Sequence, residues 1–414
     1  MMLQSTQPAK KKSTPRVIVV IVAMCALLAG GTAGWWGWST RAQGTPQAVE
    51  FTAAELSPEL TGAQVLALGE ATHGTAEFQQ LRQQLTEKVV DKGFRTIVLE
   101  EDFGAVRRVD EFVTGGPGTA VEAAQRFGFA INQTQQVADW LQWVRDRNAG
   151  LPTEQRIRLI GMDVQRANAN KQIALDYLQQ SDPGQADRLR TALQPLDDDH
   201  RDAPGMGEPT QQLERAIEAT AADRPGRTDA LAAASALVDG VLLQQAKNYQ
   251  VTRTGMMFAN LERIVAERAA AGPVLLFGHD GHVAKKPAGA LKETVGELAA
   301  KKWGPGYRVI GTDYVRVRFV SGKGADRTEF GLHNRTPLRG MYGGTRVGYL
   351  EFAATSGENR TLVDSTVAMG SVGEAYQSWM GWVPGLTEVF VVPSKLYDAV
   401  ILVADGTPVT PLMG

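Results

Sequence analysis

Five short β-rich runs, each closed by a glycine or an acidic turn, constrain this chain more than any other feature. Val65–Leu68 leads into the helix-like "AEFQQLRQQLTEKVVDKG", and Thr96–Leu99 into "EEDFG" and an amphipathic stretch from Ala105. Arg156–Ile160 ends at "GMD", Pro273–Phe277 at "GHDGH" and Tyr307–Ile310 at "GTD". Two more strand candidates lie in "EVFVVPSKLYDAVILVAD" near the C-terminus. Strands alternating with helices build βαβ units, because a parallel neighbour is reached only by a crossover. The expected fold is α/β: a mainly parallel sheet flanked by helices. From about residue 164 to 270 the chain is Ala-, Gln- and Leu-rich with helical periodicity, broken at "DDDHRDAPGMGEP", which predicts a helical insertion. No second linker appears, so residues 51–414 are expected to form one domain.

The N-terminus follows a different rule. Lys10, Lys11, Lys12 and Arg16 precede an uncharged run from Val17 to Trp38, "VIVVIVAMCALLAGGTAGWWGW". At about 1.5 Å per residue it is long enough to cross a hydrocarbon core of about 30 Å. Trp35, Trp36 and Trp38 suit the far interface, and the basic side belongs in the cytoplasm. The expectation is a cytoplasmic tail over 1–16, one transmembrane helix over 17–38 and a polar linker over 39–50. That describes a single-pass cell-membrane protein with its domain outside the cytoplasm. A cleaved signal peptide is the competing reading, and the length of the run and its tryptophans favour the anchor. Cys25, inside the run, is the only cysteine, so no disulfide forms within the chain and no cysteine nucleophile serves the domain. With 43 Lys and Arg against 45 Asp and Glu, and no basic cluster among aromatics, nucleic acid is not an expected partner.

Ligands of open parallel sheets bind beyond the carboxyl ends of the strands. There the five runs deliver Glu70 and His73; Glu100, Glu101 and Asp102; Asp163; His279, Asp280 and His282; and Asp313. Each has a plain structural alternative, such as a turn residue, a helix cap or a solvated acidic cluster. Convergence favours a site, because unrelated surface polars have no reason to fall at the ends of separate apolar runs. His200, in an acidic loop, and His333, in "GLHNRTP", are expected to be structural or exposed.

No G-x-S-x-G occurs, so the serine elbow of the common α/β hydrolases is missing. With neither serine elbow nor cysteine, water is the natural nucleophile. His73 suits the base that takes its proton, since imidazole titrates near neutrality, and Glu70 or Glu100 suits the carboxylate that orients it. Arg82, nine residues on along a predicted helix, suits a carboxylate or oxyanion partner. The same inventory admits a metal-dependent hydrolase, with His73, His279, His282 and Glu70 or Glu100 as zinc, manganese or iron ligands, although "HDGH" is not the H-E-x-x-H spacing. A third reading is a non-catalytic extracytoplasmic protein holding a small ligand or haem.

Taken together, "LGEATHGTAEF", "FRTIVLEED", "ADWLQWVRDRN", "LIGMDVQ", "RTGMMFANL" and "FGHDGHVAK" resemble, in order, the motifs of the erythromycin esterase family. The resemblance runs from about Phe51 to the C-terminus. It implies a carboxylic-ester or lactone hydrolase acting on a small-molecule substrate without a cofactor, with macrolide hydrolysis and antibiotic resistance as the family's best-known role. By that resemblance His73 is the base on water, Glu70 its carboxylate, Arg82 the following arginine and Glu100 the second acid. His279 and His282 match the histidine pair of the family's H-N-x-H segment, one of which helps to hold the ester. Asp280 stands where that family usually has Asn and is expected to add negative charge beside the site.

Overall fold

The computed structural model describes residues 44–412, apart from 290, 323–326, 375 and 384. Its strands are β1 (Val49–Glu50), β2 (Val65–Leu68), β3 (Thr96–Asp102), β4 (Arg158–Asp163), β5 (Val274–Phe277), β6 (Tyr307–Ser321), β7 (Thr328–His333), β8 (Val347–Glu351), β9 (Val367–Gly370), β10 (Glu388–Val391) and β11 (Ala399–Gly406). The main sheet runs β1-β8-β11-β6-β2-β5-β3-β4, with β7 paired to β6. Every pairing from β11 across to β4 is parallel. β8, β1 and β7 join antiparallel, so the sheet is mixed around a parallel centre. β2 and β5, the unbroken apolar runs, are buried at every position, as central strands covered on both faces must be.

The crossovers set the place of the site. From β2 the chain goes out to β3 and β4, returns to insert β5 between β2 and β3, then crosses to the other side of β2 for β6. This reversal leaves the carboxyl ends of β2, β5 and β3 around one crevice. Helix α1 (Ala76–Val89) follows β2, and Gly93, at a φ of 98° open to glycine, ends the turn behind it. Helix α2 (Phe103–Val113) follows β3 and is capped by Asp102, whose Oδ1 accepts from the N–H groups of Gly104 (3.0 Å) and Ala105 (3.3 Å). Helix α3 (Gln135–Asn148) completes that layer.

Between β4 and β5 lie α4 (Asn168–Ser181), α5 (Pro183–Ala192), α6 (Gly207–Glu218), α7 (Arg227–Gln244) and α8 (Tyr249–Glu267). They share a core of their own, built on residues such as Leu175, Leu213, Ile217 and Leu237, beside the core under the sheet. The region of helical periodicity is therefore helical and packs as a layer.

Three expectations change or fall outside the structure. β6 does not stop at "GTD": its first residues pair with β2, and the strand then continues from Arg316 to Ser321 as a hairpin arm with β7. Gly311 lets it continue, because a Cβ there would lie 2.7 Å from the Tyr397 ring. The polar stretch read as a linker belongs to the domain from Gly44 onward. Gln47 and Ala48 donate to the Met341 carbonyl at 2.7 and 2.9 Å, and Val49–Glu50 pairs with β8. The transmembrane helix expected over 17–38 lies outside the described residues; among those described, no helix is long and apolar enough to cross a membrane.

Candidate active site

The Glu-x-x-His motif sits where the chain leaves β2, and both flanking glycines are required by close approach. A Cβ at Gly69 would meet Asp280 Oδ1 at 1.7 Å, and one at Gly74 would meet the Val320 carbonyl oxygen at 1.9 Å. Between them the backbone is pinned: Ala71 N–H donates to Thr312 Oγ1 at 2.7 Å, and its carbonyl accepts from Val372 N–H at 2.8 Å. Glu70 and His73 are thereby directed into the crevice.

Glu70, His73, Arg82, Glu100 and His279 line one pocket together with Ile131 and Asn132. It has room at its centre for about one water molecule. Arg82, on α1, donates to Glu70 Oε2 at 2.9 Å and to Asn132 Oδ1 at 2.8 Å. His73 Nδ1 lies 3.8 Å from Glu70 Oε2, a charge contact longer than a hydrogen bond. Burial favours the neutral carboxyl of Glu70, yet Arg82 and His73 outweigh it and hold its pKa below the ordinary value. Burial likewise opposes a charged His73, but Glu70, with Glu100 and Glu374 behind it, raises the pKa above the usual histidine value.

His279 is held in the opposite sense. Its ring centroid is 4.9 Å from that of His73. Burial first, then the charge of His73, push its pKa down to about 3. Its Nδ1 accepts from Gly281 N–H at 3.0 Å, so the neutral ring carries its proton on Nε2, and that nitrogen is buried without a partner. The result is a preformed, uncharged N–H donor beside a basic imidazole.

Glu100 ties the second layer together. Its Oε2 accepts from His279 N–H at 2.8 Å, and its Oε1 meets Arg253 Nη2 at 3.0 Å and His282 Nε2 at 3.1 Å. Arg253, in the second turn of α8, also grips the fully buried Asp163 through Nη2 (2.5 Å) and Nε (3.0 Å). Burial opposes the ionised Glu100, but His282 and Arg253 hold its carboxyl far below the usual range. Burial, resisted by Glu100 and seconded by Arg253, keeps His282 below the ordinary histidine value. His282 is thus committed to Glu100, and His279 is the member of the pair that lines the pocket.

The other polar residues at the strand ends have structural duties. Glu101 accepts from the N–H of Phe129 (3.1 Å) and from Asn132 Nδ2 (2.9 Å), and burial pushes its carboxyl up to about 7. Asp102 caps α2 and holds Asn170. Asp313 stays inside β6, accepting from Gly370 N–H and Asn334. Asp280 does not line the pocket: it turns onto Thr312, accepting from its N–H (3.2 Å) and Oγ1 (3.0 Å), and burial raises its carboxyl well above the ordinary value. His200 is exposed and pairs with Asp197, and His333 is exposed at the end of β7.

Sequence reasoning missed Arg253, Asn132 and Glu374. Arg253 stands inside the quoted motif "RTGMMFANL", and its place in that motif was the only available signal. Glu374, one of whose side-chain oxygens is buried without a partner, comes from the segment after β9 that Val372 anchors to Ala71. Nothing in its surroundings, "GSVGEAYQS", marks it.

Several of the metal-type donors are engaged within the protein: Glu70 Oε2 and Glu100 Oε1 face guanidinium groups, His279 Nδ1 is occupied by Gly281 N–H and His282 Nε2 by Glu100, while Glu70 Oε1, His73 Nδ1 and His279 Nε2 are buried without hydrogen-bond partners among the described residues. Among the described residues, no group of three or more His, Cys, Asp or Glu side chains has a metal-binding arrangement.

The sequence profile of the family described as erythromycin esterase matches residues 89–406, more than half of the chain. The chain belongs to the erythromycin esterase family. The matched range begins after Glu70 and His73, so for this member the structure carries the link between that motif and the residues on β3 and β5. Solved structures agree on the fold. A mutant of the erythromycin esterase EreC in its open conformation is 14% identical and superposes with a TM-score of 0.60, over 85% of this chain and 93% of its own. A Bacillus cereus protein is 19% identical with a TM-score of 0.73, covering 91% and 98%. A protein described as a succinoglycan biosynthesis protein is 16% identical with a TM-score of 0.72, covering 90% and 97%. The erythromycin esterase family thus supplies the hydrolase setting in which the pocket is to be understood.

Proposed function

We propose that this protein is an ester or lactone hydrolase in which His73 activates water and His279 stabilises the oxyanion. The observation that carries the reading is the pair of imidazoles 4.9 Å apart with their pKa values displaced in opposite directions, the pattern that separates a base from a neutral donor. Water oxygen bonds to the carbonyl carbon as His73 takes its proton, and the carbonyl electron pair moves onto oxygen, where His279 Nε2–H receives it. On collapse the C=O bond re-forms, the C–O bond to the alcohol breaks, and protonated His73 returns its proton to the leaving oxygen. Glu70 favours the imidazolium, Arg82 fixes Glu70, and Glu100, with Arg253 and His282, fixes the backbone at His279. The pocket has room for the attacking water alone, so the ester group has to reach it from the pocket mouth and the body of the substrate lies outside.

The basic-then-apolar N-terminal sequence supports a membrane anchor with the domain outside the cytoplasm, where the enzyme meets a macrolide before entry or an ester of the cell envelope. The test is hydrolysis of a panel of macrolides, simple lactones and esters by the full chain, its His73→Ala and its His279→Ala variants, with and without chelator, read by mass spectrometry. The expected product is heavier than substrate by one water, is lost in His73→Ala and is indifferent to chelator. Full activity in His73→Ala would overturn the base assignment, and activity abolished by chelator and restored by metal would return the metal-dependent alternative.

A further inference from the structure

A second cavity lies away from the candidate active site, beside the edge strand β4, between α2, the first turn of α7 and the last turn of α8. Its volume is about 340 Å³, within the range of small-molecule sites. Arg268, just past the end of α8, lies 15 residues from Arg253, roughly 22 Å along the helix axis at about 1.5 Å per residue, so the two sites are distinct.

The walls are of two kinds. Phe103, Leu159, Ile160 and Ala232 supply an apolar side. The charged side has four guanidinium groups and three carboxylates, and the pairings leave one cation over. Arg158 clamps the buried Asp110 through Nε (2.9 Å) and Nη2 (2.6 Å), while Asp110 Oδ1 also accepts Leu159 N–H at 2.8 Å. Arg107 meets Asp229 at 2.6 Å, with the exposed Glu111 at its back, and Arg263 meets Glu267 at 2.9 Å. Among the described residues Arg268 has no carboxylate in ion-pair reach: its Nε donates to Thr96 Oγ1 at 3.2 Å. Partial burial and the neighbouring Arg158 both work against its charge, with Asp110 offsetting them incompletely. A guanidinium with two uncommitted edges, crowded by a second cation at the wall of an open cavity, is stabilised by an anion.

We propose that this cavity binds a small organic anion, a carboxylate or phosphate monoester head on Arg268 with a short apolar body against Phe103, Leu159 and Ile160. The apolar wall sets it apart from a site for an inorganic ion, and the surplus cation sets it apart from a purely apolar cavity.

The experiment is calorimetric titration of the full chain with hexanoate, hexyl phosphate, inorganic phosphate and hexanol. Hexanoate or hexyl phosphate should bind at one site per chain, and whichever binds more tightly names the head group. Inorganic phosphate and hexanol should each bind about tenfold more weakly or not at all, since each lacks one half of the recognition. Arg268→Gln should weaken the anionic probe by about tenfold while leaving hydrolysis at the other site intact. Ala232→Phe fills the cavity without touching the cation and should abolish binding even if Arg268→Gln proves unstable. The proposal is overturned if neither hexanoate nor hexyl phosphate binds, if hexanol binds as tightly as hexanoate, or if either variant binds like the wild type.

Discussion

Arg253→Met tests the second layer of the site most directly. Methionine keeps much of the buried volume and deletes the charge. In the wild type the guanidinium makes contacts of 2.5 and 3.0 Å to Asp163 and 3.0 Å to Glu100, with the three side chains only 12%, 0% and 11% exposed. Burial this deep leaves little solvent screening, so stranding two carboxylates should cost about 3–5 kcal/mol at neutral pH. The pH dependence carries the diagnosis. Glu100 has a depressed folded pKa, so its stabilising contribution is present above the unfolded value and lost as pH falls through the folded one. In the variant that contribution is gone, so the gap between the two proteins is widest near pH 8. It should narrow first below about 6.5, the ordinary histidine value, where His282, freed from Arg253, takes a proton against Glu100. It should narrow again below the ordinary glutamate value of 4.5 as the stranded carboxylates protonate. Urea unfolding at pH 8, 5.5 and 3.5 measures this, and Arg253→Met combined with Asp163→Asn should recover part of the loss. Turnover should fall by about 100-fold, because Glu100 no longer holds the backbone of His279 in register. A variant within about 1 kcal/mol of wild type at pH 8, or a gap that does not shrink in acid, would refute the buried-network account.

The remaining predictions concern the pocket and its supports. His279→Ala should lower kcat by about 100- to 1,000-fold with little change in KM, and a change confined to KM would remove it from oxyanion stabilisation. On the proposed mechanism His73 acts as the neutral base, and since its pKa is raised, activity should climb with pH through a limb above 6.5. Glu70→Gln should move that limb to lower pH and depress the plateau, and an unmoved limb would separate Glu70 from His73. Asp280→Asn should change stability by less than about 1 kcal/mol at pH 7, since burial already disfavours the carboxylate and Thr312 offers one donor and one hydroxyl to an amide; a larger loss in thermal unfolding would mean Asp280 is charged in the fold. Gly74→Ala should yield little folded protein, because the added methyl meets the Val320 carbonyl at 1.9 Å, and normal expression with a wild-type Tm would contradict that packing.

The parallel centre of the sheet was legible because burial on both faces forces an unbroken apolar run, and "VLAL" and "VLLF" admit few other fates. For the same reason the residues just beyond those runs could be named as neighbours. Where a strand is not covered on both faces, that warrant fails. β6 loses β2 after Ile310, stays in the sheet beside β11 as far as Val317 and pairs with β7 from Arg316 over a half-exposed stretch, so "GTD" looked like an end when only the partner strand had changed. The short β1 was hidden for a similar reason: its pairing with β8 spans about 300 residues, and no local pattern encodes that.

Glu70, His73, Glu100 and His279 are positioned by backbone they share with a strand end, and the strand announces them. Arg253 reaches the same cluster from a helix of the inserted layer, and Asn132 and Glu374 arrive on segments whose course is set by tertiary pairing with Ala71 and Arg82. The division has a chemical logic. The groups proposed to meet the reacting atoms are built on strand ends, while the counter-charges that tune them are supplied from layers added around the sheet. Arg253 is the clearest instance, since its guanidinium answers both Asp163, at the end of the edge strand, and Glu100, at the end of a central one. A single residue of the helical layer thereby fixes how β4 and β3 sit relative to His279 and His282. Changes elsewhere in α8 should therefore be felt at the pocket through Arg253 before they are felt anywhere in the sheet.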